Sequence, residues 1–281
     1  MNEKLEILIT GSSRPQLWQY FWTSFHQMCI IREKPKVIVH EDFVFPEESE
    51  RVVKICENMF TGIDEFDFDN PAIGLGRTLT HYFVKDRLQK DYTLYLQEDW
   101  EFERPIDIDK LVWIMDNNPH INLIFFNKIK NNVVVNKQRQ EEREFGGQKF
   151  CVYHGWTFNP GIWRTKFVKD HWHSCEDRPE GVFQQQFGSH QKRNDVKYCE
   201  DVIGAYIYGK QGEYRYVRHL GNDFRTARWR LETHNGKVTY GGNHNSKTMD
   251  KAYMAPWVPY PIRPTTRGDL AEKNGEIINE T

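Results

Sequence analysis

The chain has 281 residues, of which 38% are hydrophobic and 28% charged, and its formal net charge is -2. These values are typical of a globular protein in water, either one large domain or two merged halves. The near-neutral charge argues against a protein that binds nucleic acid through its overall charge. It does not exclude a local basic surface. Because no apolar run is long enough for a membrane span or a secretory signal, we expect a cytoplasmic protein.

The first part of the chain alternates between strand and helix patterns. Residues 5–10 are apolar and predict a first strand, and from Pro15 apolar positions recur at spacings of three and four, which predicts a helix. Residues 35–40 predict a second strand that ends in Glu41 and Asp42, and residues 47–60 predict a second helix. Such alternation indicates a mainly parallel sheet covered by helices.

An acidic pair follows the next predicted strand. Gly74-Leu75-Gly76 precedes a helical pattern, and the strand pattern over residues 92–96 runs directly into Glu98 and Asp99. Ligands of open α/β sheets bind outside the carboxyl ends of the strands, so we expect these carboxylates to face a ligand. Carboxylate oxygens suit Mg²⁺ or Mn²⁺, which complete their coordination with water and substrate phosphates.

Beyond residue 103 the pattern is less regular. Asp107 is the predicted cap of a short helix that ends at Met115, and residues 121–126 predict a strong strand. The polar stretch 131–149 predicts a mobile loop near the ligand. Glu200 and Asp201 are predicted to open a helix, whose amino end favours acids. The proline-rich residues 256–281 predict an extended strap and a loose tail.

The order of these motifs resembles the nucleotide-sugar half of GT-A fold glycosyltransferases, especially the inverting enzymes. In that family a Gly-rich turn and an Arg-bearing helix precede a strand that ends in a short acidic motif. This chain departs from the pattern at Gln97, where an acid is common. Over residues 5–230 the resemblance implies an α/β fold, a GT-A-like, Rossmann-type mixed sheet flanked by helices in a single merged domain. We expect a nucleotide-sugar half at 1–103, an acceptor half at 104–255 and the strap at 256–281.

The resemblance also implies a division of roles among side chains. Asp99 is the expected ligand of Mn²⁺ or Mg²⁺, with Glu98 and His219 assisting. Asp201 is the expected general base for the acceptor hydroxyl, and Glu200 is its substitute. The expected contacts to the nucleotide sugar are Thr10, Ser12, Arg14, Glu41, Asp42, Arg77, Glu98, Trp156, Arg225 and Arg228.

The predicted function is sugar transfer, with inversion, from a nucleoside diphosphate sugar to a hydroxyl acceptor, and a UDP-sugar is the expected donor. The acceptor is a glycan, a lipid-linked sugar or, given the basic aromatic segment 222–230, a hydroxylated base in nucleic acid. Two alternatives stay open. One is a sugar nucleotidyltransferase, and the other is a non-catalytic carbohydrate-binding relative that has lost its metal because Gln97 replaces an acid.

Overall fold

The computed structural model describes residues 3–42, 46–59, 62–69, 74–128, 141–172, 179–188 and 195–220, together with the backbone of 231–234 and 237–240. The strands are β1 (Leu5–Ser12), β2 (Cys29–Ile30), β3 (Lys36–Asp42), β4 (Glu65–Asp69), β5 (Tyr92–Gln97), β6 (Trp100–Phe102), β7 (Ile106–Asp107), β8 (Leu123–Phe126), β9 (Glu142–Phe145), β10 (Gln148–Val152), β11 (Gly161–Arg164), β12 (Ala205–Tyr208), β13 (Val217–His219), β14 (Leu231–His234) and β15 (Lys237–Tyr240). The helices are α1 (Pro15–Met28), α2 (Pro46–Met59), α3 (Leu75–Val84), α4 (Ile108–Asn117), α5 (Thr165–His171), α6 (Pro179–Gln185) and α7 (Val196–Tyr198), and the π-helical turn Cys199–Ile203 continues α7.

A nine-stranded mixed sheet in the order β4-β3-β1-β5-β11-β8-β12-β10-β9 organises the described residues. Strands β4, β3, β1 and β5 are mutually parallel, as the alternation of strand and helix patterns predicts. The mixed α/β fold class inferred from the sequence is confirmed. The sheet continues without interruption past residue 103, so both predicted halves share it.

Strand directions in the second half define one functional edge. Strand β11 is antiparallel to both β5 and β8, and β12 is parallel to β8. Strands β5, β8 and β12 therefore point the same way as β1, β3 and β4. We call the side where these six strands end the carboxyl edge, because open α/β sheets bind their ligands there.

The segment 131–149 differs in part from the predicted loop. Residues 142–152 form the hairpin of β9 and β10, while residues 129–140 lie outside the described residues. The hairpin turns at Gly146 and Gly147, whose φ angles are 57° and 73°. Two consecutive residues with positive φ suit a tight turn between antiparallel strands, and glycine accepts them without steric cost. The Gly-Gly pair was therefore a turn signal inside a polar sequence.

Aromatic side chains fill much of the core. Trp18 and Trp22 of α1 are fully buried, and Trp163 of β11 stacks on Tyr95 of β5 with ring centroids 4.4 Å apart. Most of the tryptophans in the described residues therefore contribute to packing rather than to a surface. None of the helices described here is both long and apolar enough to span a membrane.

Candidate functional site

Glu98 is anchored between the ends of β1 and β5. These strands are neighbours, and the Glu98 backbone N–H donates to the carbonyl of Thr10 over 3.2 Å. The Glu98 side chain is 2% exposed, and its Oε1 accepts from the Ser12 N–H at 3.1 Å and from Arg14 Nε at 2.7 Å. Arg14 Nη2 contacts the same oxygen. Arg14 immediately precedes α1, so the start of that helix holds the guanidinium in place.

The charge of Glu98 depends on opposing effects of its surroundings. Burial raises the pKa of the Glu98 carboxyl group, and the neighbouring Asp99 carboxylate raises it further. The Arg14 guanidinium lowers it, and the pKa of Glu98 is about 7. Removing a carboxylate from water disfavours its ionised form, whereas a cation within hydrogen-bonding distance favours it. Glu98 therefore holds Arg14 through Oε1, and its role of assisting a metal ion stays a prediction.

Asp99 and His219 meet at the same edge. Strands β6 and β13 pair antiparallel with His219 opposite Trp100, and the Leu220 N–H donates to the Asp99 carbonyl over 2.7 Å. His219 Nε2 lies 3.2 Å from Asp99 Oδ2, and Arg14 Nη1 lies 3.6 Å from that oxygen. The His219 ring rests against the Trp100 ring, with centroids 4.5 Å apart. The structure therefore brings together the acid and the histidine that the sequence predicted as partners.

Gln97 has a structural reason to be an amide. Its Nε2 donates to Tyr95 Oη over 2.9 Å, and its Oε1 accepts from Trp100 Nε1 over 3.2 Å. Tyr95 Oη in turn lies 3.0 Å from Thr10 Oγ1. A carboxylate lacks a donor, so it could keep both contacts only if Tyr95 Oη became the donor and accepted its own hydrogen bond from Thr10 Oγ1. Gln97 and Thr10 thus stabilise this edge of the sheet through Tyr95. The Thr10 hydroxyl contacts Tyr95, in contrast to the predicted contact with the nucleotide.

Glu41 is not positioned to contact a ribose. Its side chain is fully buried, and it accepts hydrogen bonds from Trp18 Nε1 at 3.1 Å and Ser49 Oγ at 2.9 Å. Burial, together with the charge of Glu98, raises its pKa well above the ordinary value. This corrects the expectation for Glu41, which belongs to the core beneath the edge. Arg77 is half-buried in the first turn of α3.

Asp42 belongs to a group that sequence reasoning did not find. His40 Nε2 lies 3.7 Å from Asp42 Oδ1, 3.3 Å from Asp69 Oδ2 and 3.2 Å from Thr78 Oγ1. Burial alone would lower the pKa of His40, but hydrogen bonds and charge from both aspartates outweigh it and raise this pKa to about 9. Asp42 and Asp69 are register partners on β3 and β4. The alternation of His40 with Asp42 was the available signal, since it places both on one face.

Known proteins resemble this chain in structure but not in sequence. The sequence matches no protein-family model and no curated protein. S. aureus TarS aligns with a TM-score of 0.50 and 12% identity over 80% of this chain and 38% of the TarS chain. S. aureus TarS 1-349 in complex with UDP aligns with a TM-score of 0.50 and 14% identity, over 80% of this chain and 63% of that one. The chain has a GT-A-like fold.

At these identities the likeness concerns the fold. A third solved structure, the mannosyltransferase PcManGT from Pyrobaculum calidifontis in complex with GDP-Man and Mn²⁺, aligns at a TM-score of 0.47 and 8% identity, over 74% of this chain and 55% of that chain. The GT-A-like chain spans less than two thirds of the length of either TarS structure. The likeness therefore does not show the donor, the acceptor or the metal of this chain.

Glu200 and Asp201 lie away from the carboxyl edge of the GT-A-like sheet. The helix begins earlier than predicted, because the Asp195 side chain caps it by accepting from the N–H groups of Lys197 and Tyr198. The acidic pair falls in its final π-helical turn, directly before β12. Glu200 bonds Arg143 Nε at 2.7 Å and Tyr206 Oη at 3.2 Å. The pair thus sits where β12 starts, rather than where the neighbouring strands end.

The sheet register measures this separation. One row across the sheet contains Ala205 of β12, Leu123 of β8, Trp163 of β11 and Thr93 of β5. From Thr93 the chain advances four residues to Gln97, or about 13 Å at about 3.3 Å per residue. Asp201 lies in the helical turn before Ala205, so it is close in the chain to the amino end of β12, whereas Asp99 follows the carboxyl end of β5. The structure thus does not bring the predicted general base to the predicted metal ligand.

Trp156 is part of the core of the GT-A-like domain. Its ring is fully buried, and it stacks on Phe167 with centroids 5.4 Å apart and packs against Phe183 at 5.0 Å. A ring without exposed surface cannot stack on a sugar, so the predicted contact is corrected. Arg225 and Arg228, which were expected to contact the diphosphate, lie outside the described residues.

Proposed function

We propose that this GT-A-like protein is a glycosyltransferase that moves a sugar from a nucleoside diphosphate sugar, a UDP-sugar, to a hydroxyl acceptor with inversion. One observation carries the proposal. Arg14, Glu98, Asp99 and His219 converge at the carboxyl edge beside β1 and β5. Open α/β sheets bind their ligands at this edge. The structure of TarS 1-349 in complex with UDP supports the choice of nucleotide.

Arg14 supplies the positive charge for the donor diphosphate. Its side chain is 19% exposed, and Glu98 and Asp99 fix the orientation of its guanidinium at the edge. A planar guanidinium offers several N–H donors in a rigid fork that matches phosphate oxygens. Ser12, the last residue of β1, lies two residues before Arg14, and its hydroxyl is 3.4 Å from Glu98 Oε1. Arg14 therefore binds the donor from the β1 side of the edge.

Asp99 and His219 fit a divalent cation. Two ligands about 2.1 Å from one octahedral ion and at right angles to each other are about 3 Å apart. Asp99 Oδ2 and His219 Nε2 are 3.2 Å apart. One carboxylate and one imidazole suit Mn²⁺, while Mg²⁺ prefers oxygen ligands and would rely on Asp99. Glu98 does not fit as a ligand through Oε1, because Ser12 and Arg14 already contact that atom.

A bound cation would offset the negative charge on the departing diphosphate as a Lewis acid. This chain's own residues prepare the site for that charge. Arg14 pairs with the phosphate oxygens, and the Trp100 ring holds the His219 imidazole in place from behind. Gln97 fixes Trp100 through the hydrogen bond to its indole N–H. We infer that a group other than Asp201 takes the proton of the acceptor, because Asp201 lies in the turn that precedes the first residue of β12.

Product analysis tests the proposal. The purified protein is incubated with UDP-sugars, Mn²⁺ and either glycan acceptors or DNA that carries hydroxylated bases. We expect release of UDP and transfer of the sugar to one acceptor class. Release of pyrophosphate from a sugar phosphate and a nucleoside triphosphate would instead identify a nucleotidyltransferase. Failure to bind any nucleotide sugar would favour a non-catalytic carbohydrate-binding protein. Transfer that weakens steeply with salt would point to the nucleic-acid acceptor.

A further inference from the structure

We propose that His40, Asp42 and Asp69 form a second cation site, for Zn²⁺, separate from the pair of Asp99 and His219. The three residues come from the carboxyl ends of β3 and β4. Within the described part of the chain, they form the one group of three acidic, histidine or cysteine side chains whose ligand atoms all lie within 4.8 Å of one another. One imidazole nitrogen and two carboxylate oxygens are a ligand set that suits Zn²⁺.

The distances match a tetrahedral ion. Zinc bonds of about 2.0–2.2 Å at tetrahedral angles place neighbouring donor atoms about 3.3–3.6 Å apart. His40 Nε2 is 3.3 Å from Asp69 Oδ2 and 3.7 Å from Asp42 Oδ1. Thr78 Oγ1, at 3.2 Å from the same nitrogen, adds a further polar atom on the α3 side. The two distances to Nε2 are thus close to those of a tetrahedral site, and the three ligand atoms all lie within 4.8 Å of one another.

The other ring nitrogen fixes the direction of the ligand atom. Tyr82 Oη donates its proton to Asp67 Oδ2 over 2.9 Å, so it must accept from His40 Nδ1, which lies 3.2 Å away. In neutral His40 the Nε2 atom is then an acceptor that faces two carboxylates and the Thr78 hydroxyl, and its lone pair is available to a cation. A donor hydrogen bond from the second ring nitrogen is the usual support of a metal-binding histidine.

The group is closed on one side and open on the other. The side chains of His40 and Asp42 are 4% and 7% exposed, whereas that of Asp69 is 32% exposed. An ion can enter past Asp69, where water would supply a fourth ligand. Asp42 Oδ2 also accepts from the Gly74 N–H at 3.1 Å. A bound ion would thus tie β3, β4 and the start of α3 together beside the nucleotide site.

Zinc titration of the chelator-treated full chain by calorimetry tests this site. We expect one Zn²⁺ per chain in the wild type. We expect the same in Asp99→Asn, which removes a ligand of the separate site at Asp99 and His219. In Asp69→Asn we expect the affinity for Zn²⁺ to fall by at least about 100-fold. Loss of an outer-shell partner already costs up to about 100-fold, and Asp69 is proposed as a direct ligand. The matched control is Asp170→Asn, since Asp170 is exposed and pairs only locally with Lys166 over 2.6 Å. It should bind like the wild type.

Thermal melting separates loss of the site from loss of the fold. Zn²⁺ should raise the melting temperature of the wild type, of Asp99→Asn and of Asp170→Asn, because an ion that binds only the folded state stabilises it. The melting temperature of Asp69→Asn should show no rise with Zn²⁺, although the variant also loses the contact between His40 and Asp69. Equal Zn²⁺ affinity in the wild type and Asp69→Asn would overturn the proposal. Loss of all Zn²⁺ binding in Asp99→Asn would do the same.

Discussion

The replacement of Glu98 by Gln tests whether Glu98 holds Arg14. Glutamine keeps an oxygen for the Ser12 N–H but removes the charge that balances the guanidinium. Loss of one member of a buried ion pair costs about 3–5 kcal/mol. Arg14 keeps 19% of its side chain in water and the pKa of Glu98 is about 7, which both reduce the loss. We therefore expect Glu98→Gln to lower the free energy of unfolding by about 3 kcal/mol, the lower end of that range.

A double-mutant cycle isolates the pair from other effects. Glu98→Gln, Arg14→Gln and the double variant are unfolded with urea and followed by tryptophan fluorescence. Residues in direct contact couple by about 0.5–3 kcal/mol, and a buried pair should reach at least about 1.5 kcal/mol. In the same set, Arg14→Gln should weaken UDP binding more than Glu98→Gln, because we propose that Arg14 contacts the diphosphate directly. Additive losses, within about 0.5 kcal/mol, would refute the pairing on which the site depends.

Three further predictions concern residues whose positions differ from expectation. Asp201→Asn should retain sugar transfer within about threefold, because Asp201 lies near the opposite edge; a loss of a hundredfold or more, typical of general-base removal, would contradict this. Trp156→Phe should leave the KM for the donor unchanged, since the ring is buried among other rings; a raised KM would show that it touches the sugar. Gln97→Glu should lower the free energy of unfolding by about 1–3 kcal/mol in urea, because a half-buried carboxylate replaces a neutral amide beside Glu98 and Asp99. It should not tighten Mn²⁺ binding, because Tyr95 and Trp100 hold the side chain; tighter binding would restore Gln97 to the metal site.

The regular elements of the first half could be predicted because local patterns decide them. The apolar runs of β1, β3 and β5 and the spacing in α1 and α3 each correspond to one element. The acidic pair at Glu98 and Asp99 follows a strand directly, so the sheet alone sets its place. The role of His219 could be predicted only from the order of motifs along the chain. Its partner strand, β6, is three residues long and too short to recognise from sequence.

The remaining features depend on contacts that sequence does not display. The direction of β12 places Glu200 and Asp201 before its amino end, away from the carboxyl edge. The sequence also contains a second Glu-Asp pair, Glu176 and Asp177, before α6 and outside the described residues, so the pair alone does not identify a site. Burial of Trp156 depends on the packing of distant rings. The group of His40 and Asp69 arises only when β3 and β4 pair in their particular register.

Calorimetric titration of UDP, with and without Mn²⁺, tests the central claim that Asp99 and His219 hold a cation against the donor diphosphate. The wild type and Asp201→Asn should bind UDP at least about tenfold more tightly with Mn²⁺, or about 1.4 kcal/mol. Asp99→Asn should bind UDP with the same affinity in both conditions, because one of the two cation ligands is gone. If Mn²⁺ strengthens UDP binding equally in the wild type and Asp99→Asn, the cation lies elsewhere and the account is wrong.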